Sequence, residues 1–203
     1  MSGSSRAVAV LLFLAVAAGC GDGGGADGPT GSGPRGSGTG GAFVGTVEGS
    51  ADYVAVVVDT EGDALAFVGD GMLGGEDTLF GGVGDDGSAR LSNDGGAVLE
   101  LTIDGDRASG TFIRPGSETR RVDAETAEPP AGLYRALASF PDGDYQASWV
   151  VLPDGRQHGF VQRYETPLPP GSVDASTFEP GDETFTVPGG TLRPRRVEPS
   201  DDL

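Results

Sequence analysis

From Phe43 onward, turn-forming clusters of Asp, Asn, Gly and Pro interrupt the chain roughly every ten residues, so no regular element between them can be longer than a strand. The clusters are T-E-G-D (Thr60–Asp63), D-D-G (Asp85–Gly87), N-D-G-G (Asn93–Gly96), I-D-G-D (Ile103–Asp106) and P-G-S (Pro115–Ser117). Asn-Gly and Asp-Gly pairs supply the left-handed backbone positions that tight hairpins demand. The intervening segments alternate. In Ala97–Ile103, Leu99, Leu101 and Ile103 point to one face while Val98, Glu100 and Thr102 point to the other. The segments Phe43–Glu48, Tyr53–Asp59, Ala64–Gly69, Thr78–Val83, Ser88–Ser92, Arg107–Ile113 and Glu118–Asp123 complete the series. No window of comparable length beyond residue 20 carries the i, i+3, i+4 spacing of a helix. The expected class is all-β, an antiparallel β-meander. Eight short strands in succession curl; they either close into a small barrel, which removes exposed edges, or split into a two-sheet sandwich.

Ala124–Gly132, with Pro129-Pro130, reads as a hinge, after which Leu133–Leu137, Tyr145–Leu152 and Arg156–Tyr164 resume the strand pattern around a Pro153-Asp154-Gly155 turn. Val57-Val58, Gly62 and Phe67-Val68 recur 93 positions later as Val150-Val151, Gly155 and Phe160-Val161. The recurrence fits a duplicated hairpin, and it also fits any two apolar hairpins. Thr166–Thr184 is Pro-rich and irregular, Phe185–Val187 offers one edge strand, and Pro194–Leu203 reads as a charged, frayed tail.

The amino-terminal segment has a different grammar. Arg6 precedes an unbroken apolar run, Ala7–Ala18, that stops at small residues, the order of a secretory signal. The run is too short to span a bilayer, which takes about 20 apolar residues. Ala17-Ala18-Gly19-Cys20 resembles the lipobox of bacterial lipoproteins, with Ala17 where an aliphatic residue, usually Leu, stands. The resemblance implies removal of residues 1–19, a diacylglyceryl group on the Cys20 thiol and attachment to the outer face of a bacterial cell membrane. Stable anchoring takes two acyl chains, which such a lipid carries. Residues 20–42 are then a Gly-rich tether with nothing to bury and an r.m.s. reach of roughly 25 Å. Residues 43–193 form a single all-β domain and residues 194–203 a disordered acidic tail.

Loss of the signal leaves 12 arginines against 31 acids, a charge of −19, with no lysine anywhere. Phosphate backbones are bound through Lys and Arg, so nucleic acid is excluded as a partner. Cys20 is the only cysteine, so no disulfide can staple the exported part and burial alone must hold it together.

Y-V-A-V-V-V-D (Tyr53–Asp59), G-L-Y-R-A (Gly132–Ala136) and W-V-V-L-P-D-G (Trp149–Gly155) together resemble the small β-rich lipoproteins and secreted proteins of unknown function of high-GC bacteria, over most of residues 43–164. These are structural motifs. The resemblance implies an architecture and a location, and carries over no catalytic residue.

Several strings touch on chemistry. Gly75–Asp86 follows parts of the calcium-binding nonapeptide pattern, which makes Asp77 and Asp86 metal candidates; the competing reading is a strand, Thr78–Val83, followed by a D-D-G turn. The G-x-G-x-x-G strings at Gly31–Gly36 and Gly69–Gly74 lack the following helix that a dinucleotide needs. Val57-Val58-Asp59-Thr60 is similar to the strand before an aspartic-protease loop, but Glu61 stands where Gly is required, and Asp59 reads as a turn initiator. His158 is the only histidine, without a G-x-S-x-G elbow to serve, and reads as a half-buried strand residue. Trp149, with Tyr145 and Val151 on its face, either fills a core or lines a ligand pocket. Arg120-Arg121 and Arg195-Arg196 read as solvated charges.

The sequence implies no cofactor and no catalytic residue. Its first functional expectation is a lipid-anchored extracytoplasmic module that acts by contact, attached to the membrane through Cys20 and to an envelope partner the sequence does not name. The alternatives are a small-ligand or calcium-binding envelope protein and, third, an enzyme using two carboxylates. An interior filled by Trp149, Phe67, Leu101 and their neighbours favours the first, and an open apolar cavity the second.

Overall fold

The computed structural model describes residues 40–72, 75–163, 175, 178–201 and 203. The turn chemistry acts as expected. At the T-E-G-D turn, Asp59 Oδ1 accepts the amides of Glu61 at 2.8 Å and Asp63 at 2.9 Å, while Gly62, at φ 85°, donates to the Asp59 carbonyl. A side chain at Gly62 would be strained in that left-handed conformation.

Eight strands follow one another as an antiparallel meander: β1 (Gly41–Val47), β2 (Tyr53–Val58), β3 (Asp63–Gly69), β4 (Asp77–Val83), β5 (Ser88–Ser92), β6 (Val98–Asp104), β7 (Arg107–Ile113) and β8 (Arg120–Thr126). The last returns to the first, Val44 opposite Glu125 and Gly45 opposite Ala124, and the sheet closes as a barrel rather than a sandwich. Alternate residues fill its interior, among them Phe43, Val54, Val56, Leu79, Leu91, Leu99, Leu101 and Phe112. Closure draws neighbouring backbones close at three inward positions. A Cβ on Gly45, Gly81 or Gly110 would overlap the carbonyl oxygen of Asp123, Arg90 or Glu100 respectively, so the curvature there depends on glycine.

Every residue of β2 is buried, on both faces. The outward set from β1–β3, Ala42, Val44, Tyr53, Ala55, Val57, Leu65 and Phe67, packs on a second sheet. That sheet consists of β9 (Gly132–Phe140), β10 (Gly143–Val151) and β11 (Gln157–Arg163), with β9 flanked on its other edge by a short strand formed by Arg195–Arg196. Leu133, Val150, Leu152 and Phe160 supply its side of the contact, and Phe160 stacks on Phe67 with centroids 5.8 Å apart. At roughly 1.5–3 kcal/mol for each fully buried Val, Leu or Phe, this second core fastens the sheet to the barrel.

The opposite face of the second sheet carries a third core. Trp149 lies under Phe178, centroids 4.5 Å apart, and meets the edge of Phe185; its indole N–H donates to the Ala175 carbonyl at 2.8 Å. Phe185 belongs to β12 (Phe185–Val187), which pairs with β13 (Gly190–Leu192) as a separate hairpin rather than adding an edge to the sheet. Trp149, Phe67 and Leu101 therefore do not share one interior; each belongs to a different core.

The two hairpins 93 residues apart have the same register, Val57 opposite Leu65 and Val150 opposite His158, and close through equivalent turn hydrogen bonds to Asp59 and Leu152. The expected disordered tail is corrected. Arg195–Arg196 forms β14 on β9, the Val197 amide donates to the Leu133 carbonyl at 2.8 Å, and Val197 and Leu203 pack against the second core. Arg196 makes the difference: its guanidinium donates to the carbonyls of Ala131 and Ala127 and to both oxygens of Glu198, satisfying groups that a frayed end would leave to water.

Candidate functional site: an arginine-lined groove

The second sheet overhangs the barrel, so the barrel-facing side chains at the far end of β9 extend past what the barrel covers. Leu133 is buried there, but Leu137, on the same face four residues on, is 69% exposed. Opposite it on the barrel, Phe80 projects outward from β4 beside Leu65 of β3 and is 54% exposed. The chain then returns along β14 and brings Arg193, Arg195 and Arg196 to the same place, next to Arg135, which pairs with Arg195 across the strands. The result is an open groove of about 690 Å³ with Leu65, Phe80 and Leu137 as its apolar surface and four guanidinium groups around it.

Four of the thirteen arginines thus converge on one groove of a strongly acidic protein, with Glu198 and Asp201 as the acids lining it. Arg196 is held by Glu198 at 2.6 and 2.7 Å, a two-oxygen seat for a carboxylate. Arg193 and Arg195 are exposed and make no hydrogen bond or ion pair among the described residues. Reading Arg195-Arg196 as two equivalent solvated charges is therefore corrected: Arg196 is a tertiary clamp and Arg195 faces outward into the groove.

A second arginine closes one end of the barrel. Arg114 Nε donates to Asp77 at 2.6 Å, its terminal nitrogens donate to both oxygens of Asp52 at 3.2 Å and to the Gly75 carbonyl at 2.6 Å, and its guanidinium lies 5.0 Å from the Phe112 ring. Burial weighs most on Arg114 and opposes its charge, but the hydrogen bonds to Asp77 and Asp52 outweigh it and hold the group above its ordinary value. Both carboxylates are committed to one cation, an arrangement that ties the β1–β2, β3–β4 and β7–β8 connections together at one end of the barrel.

The remaining sequence candidates sit as follows. Cys20 lies outside the described residues. Asp77 begins β4 and serves Arg114 and Asn93, whereas Asp86 lies beyond the other end of that strand and accepts from the Ser88 amide and hydroxyl. The structure does not bring the two together, and among the described residues no group of three or more His, Cys, Asp or Glu is placed to hold a metal ion. Gly75–Asp86 is a barrel strand and its turn. Asp59 caps a turn, His158 meets Tyr53 edge-on with centroids 4.1 Å apart, and Trp149 fills a core. After Gly69 the chain enters β4, a strand.

The sequence reading missed the groove because its parts come from β3, β4, β9 and residues 193–203, which no local pattern connects. A partial signal was present: Arg193, Arg195 and Arg196 form the densest basic cluster in a lysine-free chain. Comparisons with protein families, curated proteins and solved structures returned no match.

Proposed function

We propose that this chain is an exported, lipid-anchored module of the bacterial cell envelope that works by contact with a partner and performs no catalysis. The observation that carries the reading is the distribution of its side chains. The three cores are filled, and two of the three large hydrophobic side chains left exposed among the described residues, Phe80 and Leu137, meet the arginines in one groove. A surface that keeps apolar groups in water beside Arg193 and Arg195, which make no ion pair among the described residues, is suited to docking. The filled barrel interior argues against carriage of a small ligand there, and the engagement of Asp52 and Asp77 by Arg114 argues against a carboxylate pair poised for acid–base work. Anchoring rests on the Ala17–Cys20 motif and on the likeness to small β-rich lipoproteins.

The test uses the intact chain in its own cell. Wild type should fractionate with the membrane, carry a diacylglyceryl mass on Cys20 and be recovered in stoichiometric complex after cross-linking. Cys20→Ser should leave the membrane. Uncleaved precursor in the cytosol would overturn the location, and a strictly monomeric wild type after cross-linking would overturn the mode of action.

A further inference from the structure

Resting on that reading, we infer that the groove between the barrel and the overhang of the second sheet takes a peptide segment of a partner protein in which carboxylates alternate with apolar side chains. Three features specify this chemistry. Guanidinium forks match carboxylates in paired hydrogen bonds, and Arg193 and Arg195 face the groove with no bond or ion pair among the described residues. Phe80 and Leu137 present the groove with apolar surface that a purely ionic ligand would leave wet. The protein also shows the pairing within itself: in the segment that follows β14, Glu198 seats on Arg196 while Leu203 packs against the second core beside it. An acidic residue and an aliphatic one a few positions apart already satisfy part of this surface, and a partner segment of the same composition would satisfy the rest.

The shape and charge of the molecule select among anionic occupants. The surface is concave, so it admits a chain, whereas a flat bilayer would meet its rim before its floor. The net charge of −18 repels any polyanion of high charge density at long range, but a few carboxylates within about a Debye length of the arginines feel mainly the local cations.

The probe is a short fluorescein-labelled peptide of alternating Glu and Leu or Phe, titrated by anisotropy with the intact protein in uncharged detergent. Its controls are the Gln-for-Glu peptide, the Ser-for-apolar peptide and vesicles of phosphatidylglycerol in phosphatidylcholine. The expected result is saturable binding that weakens by about tenfold or more with either control peptide, in the Arg193→Ala/Arg195→Ala protein and in the Phe80→Ser/Leu137→Ser protein, and that falls as salt rises. All four side chains are exposed or at the groove surface, and circular dichroism checks that each variant is folded. Equal binding of the Gln peptide, indifference to both double variants, or binding to vesicles alone would each overturn the inference. Cross-linking of the Arg193→Ala/Arg195→Ala chain in cells separates the two claims: if the partner is still captured, contact function survives and the groove is not its seat.

Discussion

Gly110 shows how much one missing methyl can matter. It faces the barrel interior where β7 passes the Glu100 carbonyl of β6, and nothing but hydrogen fits between them. Gly110→Ala should destabilise the protein by about 1–3 kcal/mol, the cost of forcing an atom into a packed interior, read as a lower urea midpoint. Ser148 is the opposite case. Its hydroxyl is buried in β10 with no partner among the described residues, so Ser148→Ala should raise stability by about 1 kcal/mol; a fall would show that the hydroxyl is satisfied after all. The carboxyl of Asp86 is held below its ordinary 3.8, first by the Ser88 hydroxyl and then by the Ser88 amide. A carboxyl whose pKa falls on folding contributes stability above its unfolded value, and that contribution is lost as the pH drops through 3.8 toward the folded one. Ser88→Ala should therefore flatten the decline of the urea midpoint below that pH and leave its slope at neutral pH unchanged.

At the scale of elements, β10 and β11 show why the second sheet has a single Trp. Gly159 lies opposite Trp149 in the register, and a Cβ there would enter the indole, so the large residue spreads over the space the small one vacates. Gly159→Val should displace the ring, shift the emission of the chain's only tryptophan to the red and lower the melting temperature. Unchanged emission would count against this packing. Arg114 acts between elements. Arg114→Ala would leave Asp52, whose side chain is 7% exposed, without its cation, at a cost of about 2–4 kcal/mol, reduced from that of a fully buried pair because the guanidinium still touches water. Restoring neutrality with Asp52→Asn in the same chain should recover part of that loss, measured as a double-mutant cycle.

At the scale of the whole molecule, the described residues build three cores in series that share strands. β1–β3 contribute one face to the barrel interior and the other to the contact with the second sheet, whose far face builds the third core. Unfolding the barrel removes the support of the sheet, so Trp149 fluorescence, which reports the third core, and far-ultraviolet circular dichroism, which reports mostly the barrel, should give one coincident transition. Two separated midpoints would show that the layers are independent. The sequence alone determined the class, the meander and the strand positions, because turns and period-two alternation are local and each is written within a dozen residues; Ser88–Ser92 and Arg107–Ile113 could be read off to the residue. It also held a sign of the second layer in the unbroken apolar runs of β2 and β3, which no half-solvated strand would carry. Only the tertiary structure decided that the meander closes, that Trp149, Phe67 and Leu101 occupy different cores, that Pro194, Arg196, Val197 and Leu203 are packed rather than frayed, and that Arg135 and Arg195, side by side on β9 and β14, share a groove with Phe80. The physical reason is that alternation tells which side chains share a face, while the surface each face meets depends on contacts between residues far apart in the chain, which burial settles for the whole molecule at once.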